Sequence, residues 1–303
     1  MRNILIAGSG GVGGYIGAQL IRNTSTQVSI LARGEHLEAI QSTGLKIIDN
    51  DESYSIQPSA ATDNPSELGI FDLIIIAVKA TALDDTLKQL QNNIDSHTII
   101  IPLLNGVAHD ETIRKSYPQA TVLDGHIYIL SNIVESGTIR RRGNVLRLVW
   151  GSPDELDQNL ASSLNGLFDQ AGIRHKHSDD IRLDSWKKYL FISSFATLTS
   201  RYSKSMDEIY AHHMKELISI MEEIIQIANA KDVSLSQNDI QTALTQASKV
   251  APGAKTSMQL DIENGKPAEI EALCGYVVKE GEKHDIEVPH MKEAYLEIHH
   301  KTT

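Results

Sequence analysis

Ile4-Leu5-Ile6-Ala7 runs straight into Gly8-Ser9-Gly10-Gly11-Val12-Gly13, and an amphipathic stretch follows over Val12–Arg22. This strand, G-x-G-x-x-G turn and helix is the arrangement that opens a dinucleotide-binding βαβ unit. Gly8 permits the tight turn, Gly10 lets the backbone approach a pyrophosphate, and Gly13 lets the helix pack closely on the sheet. Together with Ser9, Gly11 and Val12 they form a loop that ends on a helix N-terminus, whose N–H groups and positive potential suit phosphate. The same glycines interrupt the apolar run that a signal peptide would need.

Sixteen of the 20 glycines lie before residue 178, and only Gly253, Gly265, Gly275 and Gly281 come later. A turn-rich first part therefore gives way to a part built of helices. β-branched runs at Ile4–Ala7, Val28–Ala32, Leu73–Val78, Thr98–Ile101 and Thr121–Gly125 alternate with helical patterns, including Val12–Arg22, Asp84–Asn93 and Asp154–Ala171. That alternation predicts an α/β, doubly wound Rossmann-type sheet. Ile127–Glu135 and Asn144–Trp150 read as an antiparallel pair, joined through Gly137 and a solvated Arg140–Arg142 turn. After Ser178-Asp179-Asp180, which offers N-cap residues, the helical patterns predict a second, all-helical domain. The predicted domains are 1–177 and 178–303.

Charge and cysteine content narrow the function. The 28 Lys+Arg against 39 Asp+Glu give a formal charge of −11, which argues against nucleic acid as a partner. No apolar run reaches the roughly 18 residues of a spanning helix, so no membrane partner is expected. Cys274 is the only cysteine, which excludes an internal disulfide and fits a reducing cytoplasm. The pairs His212-His213 and His299-His300 lack the spacing of a helical metal site, and no metal is expected. Cys274 itself reads as a small core residue.

The edge where ligands bind in such a sheet carries three polar candidates. After the second strand the chain reads Ile30-Leu31-Ala32-Arg33-Gly34, with Arg33 where an NAD enzyme usually places a carboxylate. A guanidinium there binds a 2′-phosphate and stacks on adenine, which favours NADP(H). Lys79 follows the strand Leu73–Val78 and adds a second positive charge. Asn105, in Leu104-Asn105-Gly106, brings an amide to the nicotinamide or the substrate.

These segments, with Ala32-Arg33-Gly34-Glu35-His36-Leu37, Val78-Lys79, Trp186-Lys187-Lys188-Tyr189 and Ser257-Met258…Glu269, resemble the ketopantoate reductase family over nearly the whole chain. The resemblance implies a Rossmann domain followed by a helical domain related to that of 6-phosphogluconate dehydrogenase. It implies NADPH-dependent reduction of 2-dehydropantoate, a small 2-oxo acid, on the way to pantothenate. The family's W-x-K-L pattern puts the catalytic lysine at Lys188, with Tyr189 in place of Leu. Ser257, twelve residues before Glu269, matches the serine that binds the substrate's carboxylate end, and Glu269 lies near the lysine.

The chemistry is coherent apart from the resemblance. Hydride addition to a ketone puts negative charge on the carbonyl oxygen, and a protonated Lys188 can deliver a proton to it. A carboxylate such as Glu269 favours the charged ammonium. The family commonly carries Asn four and eight residues after the lysine, on one helix face with it. Here those positions are Ile192 and Ala196, and a further family Asn is missing near Ser205-Met206. The polar residues nearby are Ser193, Ser194, Thr197, Thr199 and Arg201. Either the serines or Arg201 supply the lost contacts from a shifted helix, or the substrate is a more apolar 2-oxo acid. A non-catalytic NADPH sensor would keep Gly8–Gly13 and Arg33 without needing Lys188. The apolar helices of the second half could serve a homodimer interface or only the domain core.

Overall fold

The computed structural model describes residues 1–302. Two compact units form. One comprises Met1–Leu104 and His109–Ile181; the other comprises Asn105–Ala108 and the chain from Arg182 onward. The short segment after Leu104 thus joins the helical unit, with Val107 packed against its core.

In the first unit the strands are β1 (Asn3–Ala7), β2 (Gln27–Leu31), β3 (Leu45–Asp49), β4 (Glu52–Ile56), β5 (Ala60–Thr62), β6 (Leu73–Ile76), β7 (Ile99–Pro102), β8 (Thr121–Val122), β9 (Asp124–Glu135), β10 (Thr138–Gly151) and β11 (His175–His177). The main sheet runs β5-β2-β1-β6-β7-β8, every neighbouring pair parallel. With β1 at the centre, this is the strand order of a dinucleotide-binding fold. The apolar runs reflect burial on both faces. Ile4, Ile6, Ile30 and Ile75 enter one core cluster, while Leu5, Leu31, Ile74 and Ile76 enter the other. Helices α1 (Gly11–Asn23), α2 (Gly34–Thr43), α3 (Leu83–Gln89), α4 (His109–Ser116) and α5 (Gln158–Gln170) complete the unit. Asp157 caps α5 by accepting from the Leu160 N–H at 2.9 Å.

A second sheet, β11-β10-β3-β4 with β9 paired to β10, was not expected from the sequence beyond the β9/β10 pair. It also moves Arg140–Arg142 out of the turn and into β10. The hairpin turns tightly at Ser136-Gly137, and β10 runs parallel to β3 from Thr138 to Arg141. Arg141 lies 2.5 Å from the Asp49 carboxylate of β3, an ion pair that holds the basic stretch in the sheet.

The second unit is helical: α6 (Ile181–Tyr202), α7 (Met206–His212), α8 (Met214–Ala230), α9 (Gln237–Ala247), α10 (Ser257–Glu263), a π-helical turn at Glu271–Gly275, α11 (Tyr276–His284) and α12 (Pro289–Thr302). The periodic stripe of α8, including Leu217, Ile220, Met221, Ile224 and Ala228, lies in the core. Ser205 with Glu208 and Ser236 with Asp239 form capping boxes that start α7 and α9. Buried Glu223 of α8 accepts the main-chain N–H groups of His290 and Met291 and so caps α12. Among the described residues no helix is long and apolar enough to cross a membrane.

Candidate active site

Gly8 leaves β1 at φ +108°, a conformation that favours glycine. A Cβ there would also stand 2.8 Å from Val78 Cγ1, two residues past β6. At Gly13 a Cβ would overlap the Gly8 carbonyl, so α1 can start this close to the strand only with glycine. By contrast, nothing lies within 4 Å of a Cβ built on Gly10. That open face is where a bulky anion can approach the backbone. The first turn of α1 carries no acidic side chain, and no side chain caps it. Its leading N–H groups have no intrahelical acceptor. The residues present therefore fit a pyrophosphate at this turn.

The same sheet edge carries the two predicted cations. Arg33 follows β2, occupies the N-cap of α2, is exposed, and reaches Gln89 Oε1 at 3.0 Å. Lys79 follows β6, is exposed, and precedes the short 3-10 turn Ala80–Ala82. Both are strand-end residues reached by solvent, as a 2′-phosphate or pyrophosphate contact requires.

In the helical unit three of the predicted residues meet. Lys188 Nζ donates to Asn105 Oδ1 at 3.2 Å, and Asn105 Nδ2 donates to Glu269 Oε2 at 3.3 Å. An ammonium can only donate and a carboxylate can only accept, so the amide has one orientation that serves both. Asn105 is held by the turn at Gly106, whose φ of +119° requires glycine. Lys188 and Glu269 are each 8% exposed, so charge on them is felt over little intervening water. Ser257 stands at the first position of α10 and is exposed. It is not part of the Lys188–Asn105–Glu269 bridge. Thr256, just before it, is tied to α6 by a 2.8 Å bond between its hydroxyl and that of Thr199. Lys187, next to the candidate lysine, points to Asp239 at 3.5 Å with its side chain 45% exposed.

The hydroxyls near Lys188 do not replace the missing amides. Ser193 donates to the Leu273 carbonyl at 2.8 Å, Ser194 to Leu190 at 2.7 Å and Thr197 to Ser193 at 2.8 Å, all fully buried. Arg201 is held by Glu216, Glu293 and Glu297 at 2.5, 3.2 and 2.7 Å. One turn past Lys188, Ile192 remains half-buried, whereas Ala196 lies in the core.

The π-helical turn begins two residues after Glu269, and sequence reasoning missed it. A π turn disturbs the regular helical hydrogen bonds, and such turns often lie at functional sites. Here Tyr189 donates to the Leu273 carbonyl at 2.6 Å, and Ser193 reaches the same oxygen. Burial pushes the Tyr189 phenol well above its ordinary pKa, so it stays a donor. The replacement of Leu by Tyr beside Lys188 was the signal for this tie. Cys274 inside the turn is fully buried against the Thr197 hydroxyl, and burial pushes its thiol up to about 12.

Comparison with known proteins agrees with this architecture. Residues 4–155 match the family described as Ketopantoate reductase PanE/ApbA, and residues 180–302 match its C-terminal counterpart. The chain belongs to the ketopantoate reductase family. It is 29% identical to 2-dehydropantoate 2-reductase of Mesorhizobium japonicum, over 94% of this chain and 93% of that one. It is 28% identical to the uncharacterized oxidoreductase YkpB of Bacillus subtilis, over 97% of each chain. The crystal structure of 2-dehydropantoate 2-reductase from Porphyromonas gingivalis W83 superimposes with a TM-score of 0.85 at 31% identity, covering 98% of this chain and 99% of that one. As a member of the ketopantoate reductase family, the chain is an oxidoreductase that uses a nicotinamide cofactor.

Proposed function

We propose that the protein reduces a 2-oxo acid to the 2-hydroxy acid with NADPH, and that 2-dehydropantoate, giving pantoate for pantothenate synthesis, is the substrate. The observation that carries this reading is the buried bridge from Lys188 through Asn105 to Glu269. Bound at the Gly8–Gly13 turn, the nicotinamide cofactor supplies hydride. Arg33 takes the 2′-phosphate, Lys79 adds positive charge, and the N–H groups from Gly10 to Gly13 hold the pyrophosphate. Ser257 binds the carboxylate end of the acid. Lys188 hydrogen-bonds the ketone oxygen and transfers a proton from Nζ as negative charge develops there. Asn105 orients that ammonium, and Glu269 across the amide favours its charged form. The single buried cysteine suits a reducing cytoplasm.

A second reading concerns the acid alone. With the nearby hydroxyls and Arg201 committed elsewhere, the half-buried, apolar Ile192 stands one turn from Lys188 where the family commonly has an amide. This favours a more apolar 2-oxo acid over a hydroxylated one, since a site without the partner amide gains little from a substrate hydroxyl. Purified protein is assayed for NADPH oxidation with 2-dehydropantoate and a panel of apolar 2-oxo acids, with NADH as control. Strong preference for 2-dehydropantoate supports the first reading. Preference for an apolar acid, moved back toward 2-dehydropantoate by Ile192→Asn, supports the second. Turnover of no acid, with NADPH still bound, would favour a cofactor sensor.

A further inference from the structure

His36 lies in the first turn of α2, three residues after Arg33, with its ring half-buried between two pieces of main chain. Nε2 is 3.0 Å from the Ser9 carbonyl oxygen, and Nδ1 accepts the Gly137 N–H at 2.9 Å. A main-chain N–H can only donate, so Nδ1 must carry the lone pair. A main-chain carbonyl can only accept, so Nε2 must carry the hydrogen. The two contacts therefore select one species, the neutral Nε2–H tautomer. Burial pushes the imidazole below its ordinary pKa, against a weaker opposite pull from the Ser9 carbonyl, and so favours the same form.

Both ends of this clamp are fixed. Gly137 sits in the turn between β9 and β10, and its carbonyl accepts from the Lys46 N–H of β3 at 2.9 Å. A Cβ on Gly137 would stand 2.8 Å from Ala39 Cβ, so the turn is seated directly on α2. At the other end Ser9 is buried in the glycine turn. The next part of that turn is confined by β9, because a Cβ on Gly11 would overlap the Ser131 carbonyl. The Ser9–Gly10 peptide is trans and planar, so its C=O and N–H point in opposite directions. Fixing the Ser9 carbonyl on the imidazole thereby aims the Gly10 N–H away from His36.

We propose that His36 is a positioning residue for the cofactor's pyrophosphate, locking the Ser9–Gly10 peptide plane to the helix that Arg33 precedes. The inference rests on the reading of Gly8–Gly13 as the cofactor turn. It assigns the two ring nitrogens unequal duties: Nε2 sets the turn's aim, and Nδ1 anchors the ring.

Three substitutions separate those duties. The amide of His36→Gln reaches the Nε2 position and can still donate to Ser9. The shorter amide of His36→Asn stays near the Nδ1 position and can accept only from Gly137. His36→Leu keeps neither bond. Dissociation constants for NADPH are measured by fluorescence titration, alongside thermal midpoints without cofactor. The Asn and Leu variants are expected to bind NADPH about ten-fold more weakly, with Gln within about three-fold of wild type. That order should hold even where Gln and Asn have equal midpoints, which a purely structural tie does not produce. Unchanged binding in Asn and Leu, or equal weakening in Gln and Asn, would overturn the inference while leaving the cofactor turn intact. Wild-type protein that binds neither NADPH nor NADH would overturn the turn's assignment, and this inference with it.

Discussion

In the first unit the groups proposed to hold the pyrophosphate are main-chain amides within six consecutive residues, Gly8 to Gly13. In the second they are side chains from positions 105, 188 and 269, joined by bonds that span 83 and 164 residues of sequence. The first arrangement is dictated by what glycine permits: a positive φ at Gly8 and close approach at Gly13. The second depends on how helices pack. Lys188 gains its partner because the Asn105-Gly106 turn belongs to the helical unit and α6 is tied to the π turn after Glu269. Backbone sites are thus sensitive to added atoms, whereas side-chain sites are sensitive to lost ones.

The largest expected effect is on chemistry in the helical unit. Lys188→Ala should lower kcat by about 10²–10⁴-fold, as loss of a general acid does, while the NADPH dissociation constant stays unchanged. Steady-state kinetics with a parallel binding titration checks both halves. Equal loss of NADPH binding would remove the division of labour between the units.

Arg33→Gln comes next and acts on the other unit. A charge-assisted contact to a 2′-phosphate is worth about 1.5–3 kcal/mol, so the preference for NADPH over NADH should fall by about 10–100-fold. NADH constants should hardly change. Dissociation constants for both cofactors measure this directly.

Tyr189→Phe removes one hydroxyl and leaves the Leu273 carbonyl with Ser193 as its side-chain donor. The expected loss of stability is about 0.5–1.5 kcal/mol, read by urea unfolding. The variant should also lower kcat more than it changes NADPH affinity, because the π turn adjoins Glu269.

The smallest effect is on acid stability. Burial raises the Glu271 pKa, but contacts from Lys279, Tyr295 and His299 outweigh it and hold the carboxyl at about 2, below its ordinary 4.5. A depressed carboxylate stabilises the fold above its unfolded pKa, and that stability is lost as pH falls from about 4.5 to about 2. Glu271→Gln should therefore flatten the fall of the thermal midpoint across that window. The change should be modest, since the Glu271 side chain is 47% exposed.

These contrasts parallel what could be read from the chain before its structure. The Gly8–Gly13 turn and the main parallel strands were legible because their causes are local: glycine spacing and uninterrupted apolar runs. Strands β3, β4 and β5 were not. Their short stretches, such as Glu52–Ile56 with its exposed polar residues, lack a continuous apolar signal and depend on their pairing, β3 with distant β10, β4 with β3 and β5 with β2. Arg140–Arg142 looked like a solvated turn because the Asp49 carboxylate that holds Arg141 in the sheet is 92 residues away. Lys188, Asn105, Ser257 and Glu269 were singled out through family resemblance and strand-end position. Nothing local to Lys188 distinguishes it from Lys187, and only packing makes one buried and the other exposed. The clamp by His36 was invisible for the same reason: its partner Gly137 is 101 residues away.

The most direct test is NADPH oxidation by wild-type and Lys188→Ala protein across 2-dehydropantoate and apolar 2-oxo acids, with NADPH binding measured on the same samples. The account predicts turnover of at least one of these acids by wild type, with NADPH preferred over NADH. It also predicts a Lys188→Ala variant that binds NADPH normally and turns over at least about a hundred-fold more slowly. Full turnover by the Lys188→Ala variant, or no turnover of any 2-oxo acid by wild type that binds NADPH, would contradict it.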